Sequence, residues 1–144
     1  MNNNYYDLAE EDITEAIDRY KAGKYNKCAY WCQQSGEKYL KYILLNKLSV
    51  ANDAAASDHN LKRIYECINK NGGSLTIPIS ALYSLTNYYY KARYPGEGFV
   101  EVDKETAYEL LEHAKTIKTA VDKYITTFTL EDGLQALESK YGSY

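Results

Sequence analysis

Tyr25-Asn26-Lys27-Cys28-Ala29-Tyr30-Trp31-Cys32-Gln33-Gln34-Ser35-Gly36-Glu37-Lys38-Tyr39-Leu40-Lys41-Tyr42-Ile43-Leu44 is the stretch on which the fold turns. Tyr25, Cys28, Ala29, Cys32, Gly36, Tyr39, Leu40, Ile43 and Leu44 recur at three- and four-residue steps, the spacing of one helix face. The pattern runs on to Lys47 and predicts a helix over 25–47, roughly 30 Å long. Gly36 in its middle costs about 1 kcal/mol of helix propensity relative to alanine. Its presence predicts the close approach of a neighbouring helix.

The same period repeats on both sides. Upstream, Asp7 and Glu10 make a capping box for a first helix with Ala9, Ile13, Ala16, Ile17 and Tyr20 on its apolar face and Gly23 at its end. The opposite face, Glu10, Glu11, Asp12, Glu15 and Asp18, reads as solvated. Downstream, residues 49–57 are small and polar and read as a loop. A third helix carries Leu61, Ile64, Tyr65 and Ile68 and stops at Asn71-Gly72-Gly73. Pro78 suits the first turn of a fourth, which continues through Ile79, Leu82, Tyr83, Thr86 and Tyr90. Pro95-Gly96-Glu97-Gly98 is a turn, and 99–102 alternates too briefly to make more than a weak strand. Asp103 caps a fifth helix that buries Ala107, Leu110, Leu111, Ala114, Val121 and Ile125. Thr129 and Asp132 start a short last helix with Leu130, Leu134 and Leu137 inward. The expectation is all-α: an up-and-down bundle of four to five main helices plus a short C-terminal helix. Residues 1–6 are expected to be flexible and 7–144 to form one domain with its core in 7–126.

A chain of 144 residues, 45% hydrophobic, can bury one sizeable core. A net charge of −3 argues against broad attraction to nucleic acid, so RNA is not an expected partner. No run of eighteen apolar residues exists, and the start lacks the basic and apolar regions of a signal peptide, so the expected compartment is the cytoplasm and no membrane is a partner. Cys28 and Cys32 share a helix face and Cys67 is remote, so the three cysteines read as buried thiols. Neither His59 nor His113 sits at ligand spacing from a cysteine pair, which leaves no metal and no cofactor expected. Seventeen tyrosines against two phenylalanines suit half-exposed helix faces or a protein interface, with Tyr83, Tyr88, Tyr89 and Tyr90 as the candidate surface.

Chemistry concentrates where the fourth helix runs into Lys91-Ala92-Arg93-Tyr94-Pro95-Gly96. Pro95 disfavours helix at Tyr94 and leaves Arg93 in the last helical turn. There a cation interacts with exposed carbonyls for about 0.3–1 kcal/mol. Arginine beside a ring also makes a planar donor fork for phosphate with Tyr94 stacking next to it. On the second helix Gln34, Glu37, Lys38 and Lys41 fall on one polar face. Glu37 and Lys41 form either a plain surface pair or one wall of a cleft opposite Arg93, with Lys41 as a second charge.

Three pieces then stand in one order: Trp31-x-Gln33-Gln34-x-x-Glu37-Lys38-x-Leu40-Lys41, Asp58-His59-Asn60-Leu61 and Tyr88-Tyr89-Tyr90-Lys91-Ala92-Arg93-Tyr94-Pro95. Together they resemble the HEPN domain, the helical "higher eukaryotes and prokaryotes nucleotide-binding" family, over residues 7–126. The resemblance implies a four- or five-helix bundle, a homodimer, a prokaryotic chain related to toxin–antitoxin systems, and a separately encoded minimal nucleotidyltransferase as partner. Some members are ribonucleases marked by an Arg followed four to six residues later by a His. Here those positions after Arg93 are Glu97, Gly98 and Phe99, and after Arg63 they are Cys67, Ile68 and Asn69. Arg19 has no nearby His either. The form carrying Ala-Arg-Tyr-Pro is associated with nucleotide or other phosphate binding. The expected function is therefore a non-catalytic domain binding such a ligand through Arg93, Tyr94 and Lys41, with Glu37 and His59 as further candidates. The alternatives are a ribonuclease with an atypical site and a ligand-free dimerisation module.

Overall fold

The computed structural model describes residues 4–93 and 95–141, and these form a bundle of five α-helices with no strand among them. The helices are α1 (Tyr5–Lys21), α2 (Tyr25–Lys41), α3 (Leu61–Lys70), α4 (Ile79–Lys91) and α5 (Lys104–Tyr141). Helix α2 is the axis of the bundle and packs against all four others. Its buried side presents Cys28, Ala29, Cys32, Tyr39 and Leu40 at zero exposure, together with Gly36. The predicted helix over 25–47 is present, but its last turn, Tyr42–Lys47, is π-helical. A hydrogen bond from Leu48 N to Ile43 O follows it, and Ser49 then takes a positive φ of 57°.

The close approach expected at Gly36 is real. A Cβ there would lie 2.9 Å from Ile117 Cδ1 on α5 and 3.3 Å from Leu61 Cδ1 on α3. Helix α1 begins earlier than the capping box implied. Asn4, not Asp7, is the cap, accepting from Asp7 N at 2.9 Å, so Tyr5 and Tyr6 are helical and residues 1–3 lie outside the described residues. The acidic face of α1 is not wholly solvated. Asp12 is 7% exposed and pairs with Lys38 at 2.5 Å, and Glu10 accepts from Tyr39 and Lys118.

On α4 the buried stripe is Ala81, Leu82, Leu85, Thr86 and Tyr89, while Ile79, Tyr83 and Tyr90 are exposed. The sequence stripe had mixed the two because aromatic and β-branched residues occupy both faces. Helix α5 runs unbroken for 38 residues, roughly 57 Å, so the short last helix is a continuation of it. Ile117 joins its buried stripe, and Leu134, expected inward, is 60% exposed. The side chains of Leu130 and Leu137 lie outside the described residues. No described helix is long and apolar enough to cross a membrane.

Candidate functional site

Of the predicted polar face of α2, Glu37 and Lys41 are buried while Gln34 and Lys38 are half-buried. Gln33, Glu37 and Lys41 are one helical turn apart and 0%, 5% and 5% exposed. Lys41 Nζ donates to Glu37 Oε2 at 3.0 Å. Gln33 Nε2 donates to Glu37 Oε1 at 3.1 Å and to the His59 carbonyl at 2.9 Å, which ties α2 to the chain just before α3. His59 Nδ1 lies 2.8 Å from the same Glu37 Oε1. A carboxylate there favours the tautomer with its hydrogen on Nδ1 and leaves Nε2 as the ring nitrogen Glu37 does not hold. The His59 side chain is 49% exposed, so a buried ion pair orients a ring that reaches solvent. The backbone around it is fixed too: Asn60 caps α3, and Leu61 N donates to Thr86 Oγ1 on α4.

Tyr89 connects this group to Arg93. Its ring centroid is 5.4 Å from that of His59, and it stacks on Tyr30 of α2 at 6.0 Å and 20°. Arg93 sits just beyond the end of α4, two residues after Lys91. Its guanidinium turns back over both rings, 4.9 Å from the Tyr30 centroid and 5.0 Å from that of Tyr89, and donates to the Tyr89 hydroxyl at 2.6 Å. Burial raises the Tyr89 phenol above its ordinary value; the Arg93 charge opposes this and the Glu37 carboxylate adds to it. Tyr89 is therefore a neutral phenol whose oxygen accepts from Arg93. The residue carrying this cation is itself exposed.

Arg93 lines an open groove of about 670 Å³ together with Asn26, Lys27, Tyr30, Ala92, Phe99 and Glu101. Asn26 builds its wall. Its amide donates to the Ala92 and Val100 carbonyls, both at 3.0 Å, and its oxygen accepts from Val102 N at 2.8 Å. One side chain near the start of α2 thus pins both arms of the α4–α5 connection. Val100 N also bonds Lys91 O, and the turn between them uses Gly96 and Gly98 at positive φ.

The fold agrees with what the chain is similar to. The family model of the HEPN domain matches residues 3–124. The chain belongs to the HEPN family. The crystal structure of TT1696 from Thermus thermophilus shares the bundle, with a TM-score of 0.68 at 21% identity over 83% of this chain and 94% of that one. No curated protein matches it.

In this HEPN domain the predicted residues fall in two connected places. Glu37, Lys41 and His59 form the hydrogen-bonded group above, and Arg93 lies across Tyr89 from it. Tyr94 lies outside the described residues. Lys41 is held against Glu37 at 7% side-chain exposure and is not among the groove's lining residues. Sequence reading missed Tyr30, Tyr89 as a buried linker, Gln33 as a buried donor, and Asn26. Gln33 and Tyr89 carried a signal, their four-residue spacings to Glu37 and Arg93. Tyr30 meets Tyr89 across 59 residues, and the partners of Asn26 come from 66 to 76 residues away in sequence.

A second polar cluster is structural. Lys118 on α5 binds Asp122 at 2.9 Å, Glu10 at 3.0 Å and Tyr6 at 3.3 Å, and Tyr39 donates to Glu10 at 2.8 Å. Burial alone would lower the Lys118 ammonium, but those hydrogen bonds outweigh it and hold it above its ordinary range. Burial and the bond to Asp122 push the Tyr6 phenol up to about 12. These groups satisfy one another and clamp α1 and α2 to α5. Cys28, Cys32 and Cys67 are free and buried, and no group of three metal-ligating side chains occurs among the described residues.

Proposed function

We propose that this HEPN domain binds a nucleotide or related phosphate-bearing ligand at Arg93 and does not cleave it. The observation that carries the reading is the guanidinium itself, exposed at a groove yet oriented by two ring faces and a phenolic oxygen. A planar fork held this way has already lost much of its side-chain freedom, which favours bidentate contact with phosphate. Lys27 lies in the same groove and adds positive charge, while Glu101 subtracts from it. Lys41 and Glu37 act from behind, holding His59 and the start of α3 in place. The reading includes a homodimer and a separately encoded minimal nucleotidyltransferase as partner, both carried by family membership. Calorimetry with a panel of nucleotides on wild type and Arg93→Ala tests the ligand: binding that Arg93→Ala abolishes is expected, and no binding at millimolar concentration removes it. A sedimentation profile of monomer alone at tens of micromolar removes the dimer.

One observation favours a second reading, an atypical ribonuclease. Glu37 on His59 Nδ1 is the arrangement that prepares an imidazole for proton transfer, and Arg93 lies one ring away. Labelled RNA decides between them. Cleavage lost in both His59→Ala and Arg93→Ala would establish the nuclease, and intact RNA leaves binding as the function.

A further inference from the structure

The connection from α3 to α4 lays down an extended segment with one partnered edge. Gly73, Leu75 and Ile77 are buried while Ser74, Thr76 and Pro78 are exposed, the alternation of a strand. Ser74 enters it through the left-handed region, at a φ of 52°. Successive residues of an extended chain aim their N–H and C=O to opposite sides. On one side α3 stands in for a neighbouring strand. The Asn69 carboxamide accepts from Leu75 N at 2.8 Å and donates to Leu75 O at 2.9 Å. The Tyr65 hydroxyl donates to Leu75 O at 3.0 Å and accepts from Ile77 N at 3.4 Å. On the other side, no group among the described residues bonds the N–H or C=O of Thr76.

Ser74 and Thr76 line a groove of about 500 Å³, and α5 forms another of its walls through Ala120, Lys123, Tyr124 and Thr127. Those four recur at three- and four-residue steps, so one face of α5 turns to the groove. Leu48 and Leu75 give it apolar surface, and Lys123 is the only charged side chain among its described lining residues. None of these residues lines the groove at Arg93.

We propose that this groove takes the free C-terminal end of a partner polypeptide as an added strand. One residue of the incoming chain exchanges two hydrogen bonds with Thr76, as residues of an antiparallel pair do. Its terminal carboxylate meets the Lys123 ammonium, and an apolar side chain beside it rests on Leu48 and Leu75. The open backbone edge selects an extended chain, because a helix has no free N–H and C=O along its length to pair with it. The single positive charge selects the end of that chain over its middle. The edge is short: Ile77 is committed to Tyr65, and Pro78 has no N–H. One pair of bonds is all the backbone offers, which keeps affinity modest and discourages strand pairing between copies.

The test is calorimetry and amide-resolved NMR on the full chain. The probes are N-acetylated pentapeptides of alternating threonine and valine that end in alanine, valine, leucine or phenylalanine, each as free acid and as C-terminal amide. Acetyl-leucine is the small-acid control. The free acids ending in a larger apolar residue are expected to bind, and their amides about fivefold more weakly. Lys123→Gln, an exposed position, should weaken the acids by about the same factor and abolish the difference from the amides. Methylating the peptide amides one at a time should cost about tenfold at the one that pairs with Thr76. Binding should shift the Thr76 amide resonance and slow its hydrogen exchange, and Arg93→Ala should leave all of this unchanged. Acid and amide binding equally well overturns the carboxylate contact. Acetyl-leucine matching the pentapeptides, or indifference to methylation at every amide, overturns strand addition. Shifts that cluster away from Thr76 and Lys123, or no binding by any peptide at millimolar concentration, overturn the site.

Discussion

Lys41→Met separates the work of the polar core from the work of the groove. Methionine keeps an unbranched chain and removes the ammonium. It leaves Glu37, 5% exposed, with the Gln33 amide and the His59 ring as its remaining partners. Removing one member of a buried pair costs about 3–5 kcal/mol when nothing replaces it. Here two contacts to the carboxylate survive, and a half-exposed His59 gives water a path to one side of it, so the expected loss is about 2–3 kcal/mol. For 144 residues that is a fall in Tm of roughly 6–12 °C. Urea unfolding followed by far-UV circular dichroism measures the loss directly. Adding Glu37→Gln should return most of it, because no charge is then left buried, giving a coupling energy of about 2 kcal/mol. Nucleotide affinity in Lys41→Met, measured below its unfolding transition, should equal that of wild type. A loss under about 0.5 kcal/mol, or a double variant no more stable than the single, would refute the account of a buried pair sustaining Glu37. An intact fold with lost affinity would show Lys41 reaching the ligand.

Asn26→Ala removes three hydrogen bonds across the α4–α5 connection and should cost about 1–3 kcal/mol in urea unfolding while weakening any ligand bound at Arg93. Gly36→Ala gains about 1 kcal/mol of helix propensity but drives a methyl to 2.9 Å from Ile117 and 3.3 Å from Leu61, both fully buried. Overpacking of about 1–3 kcal/mol outweighs the gain, so the variant should be about 1 kcal/mol less stable. Glu10→Gln should flatten the acid limb of stability. Burial works to raise the Glu10 carboxyl, but hydrogen bonds from Lys118 and Tyr39 hold it below its ordinary 4.5. A depressed carboxyl stabilises the fold above that value, and the stability is lost as pH falls through the lowered one. Urea midpoints at about pH 6, 4 and 3 should therefore converge between wild type and variant as the solution is acidified.

The architecture was legible wherever one helix face carried a clean period. The run from Tyr25 to Leu44 gave α2 and the reason for Gly36, because a buried face must repeat every three or four residues whatever it packs against. What failed was the decision between faces where both carry similar residues. On α4 the exposed Tyr83 and Tyr90 and the buried Tyr89 are chemically identical in sequence, and only the position of α2 separates them. The acidic side of α1 misled for the same reason: Asp12 and Glu10 have partners 26 and 108 residues away, in Lys38 and Lys118. The candidate site was legible as a set of residues but not as a geometry. Arg93 and Glu37 could be named from local pattern and His59 from the family resemblance, whereas the Tyr30 ring beneath Arg93 and the carboxamide that shapes its groove depend on contacts that no local pattern encodes.

Those contacts make the exposed cation a product of the core. Tyr89 is 6% exposed, stacks on Tyr30, touches His59 with its ring and holds Arg93 with its oxygen. His59 in turn is aimed by Glu37, which Lys41 and Gln33 hold by hydrogen bonds within α2. An apolar trio at positions 33, 37 and 41 could fill the same space at no greater cost in stability, since buried ion pairs gain little over well-packed hydrophobic residues. What an apolar trio could not do is fix the direction of an imidazole or tie the start of α3 to α2. The polar core is therefore best understood by what it orients. It sets the direction of the His59 ring and the place of the start of α3, while at the end of α4 the ring pair of Tyr30 and Tyr89 presents the guanidinium.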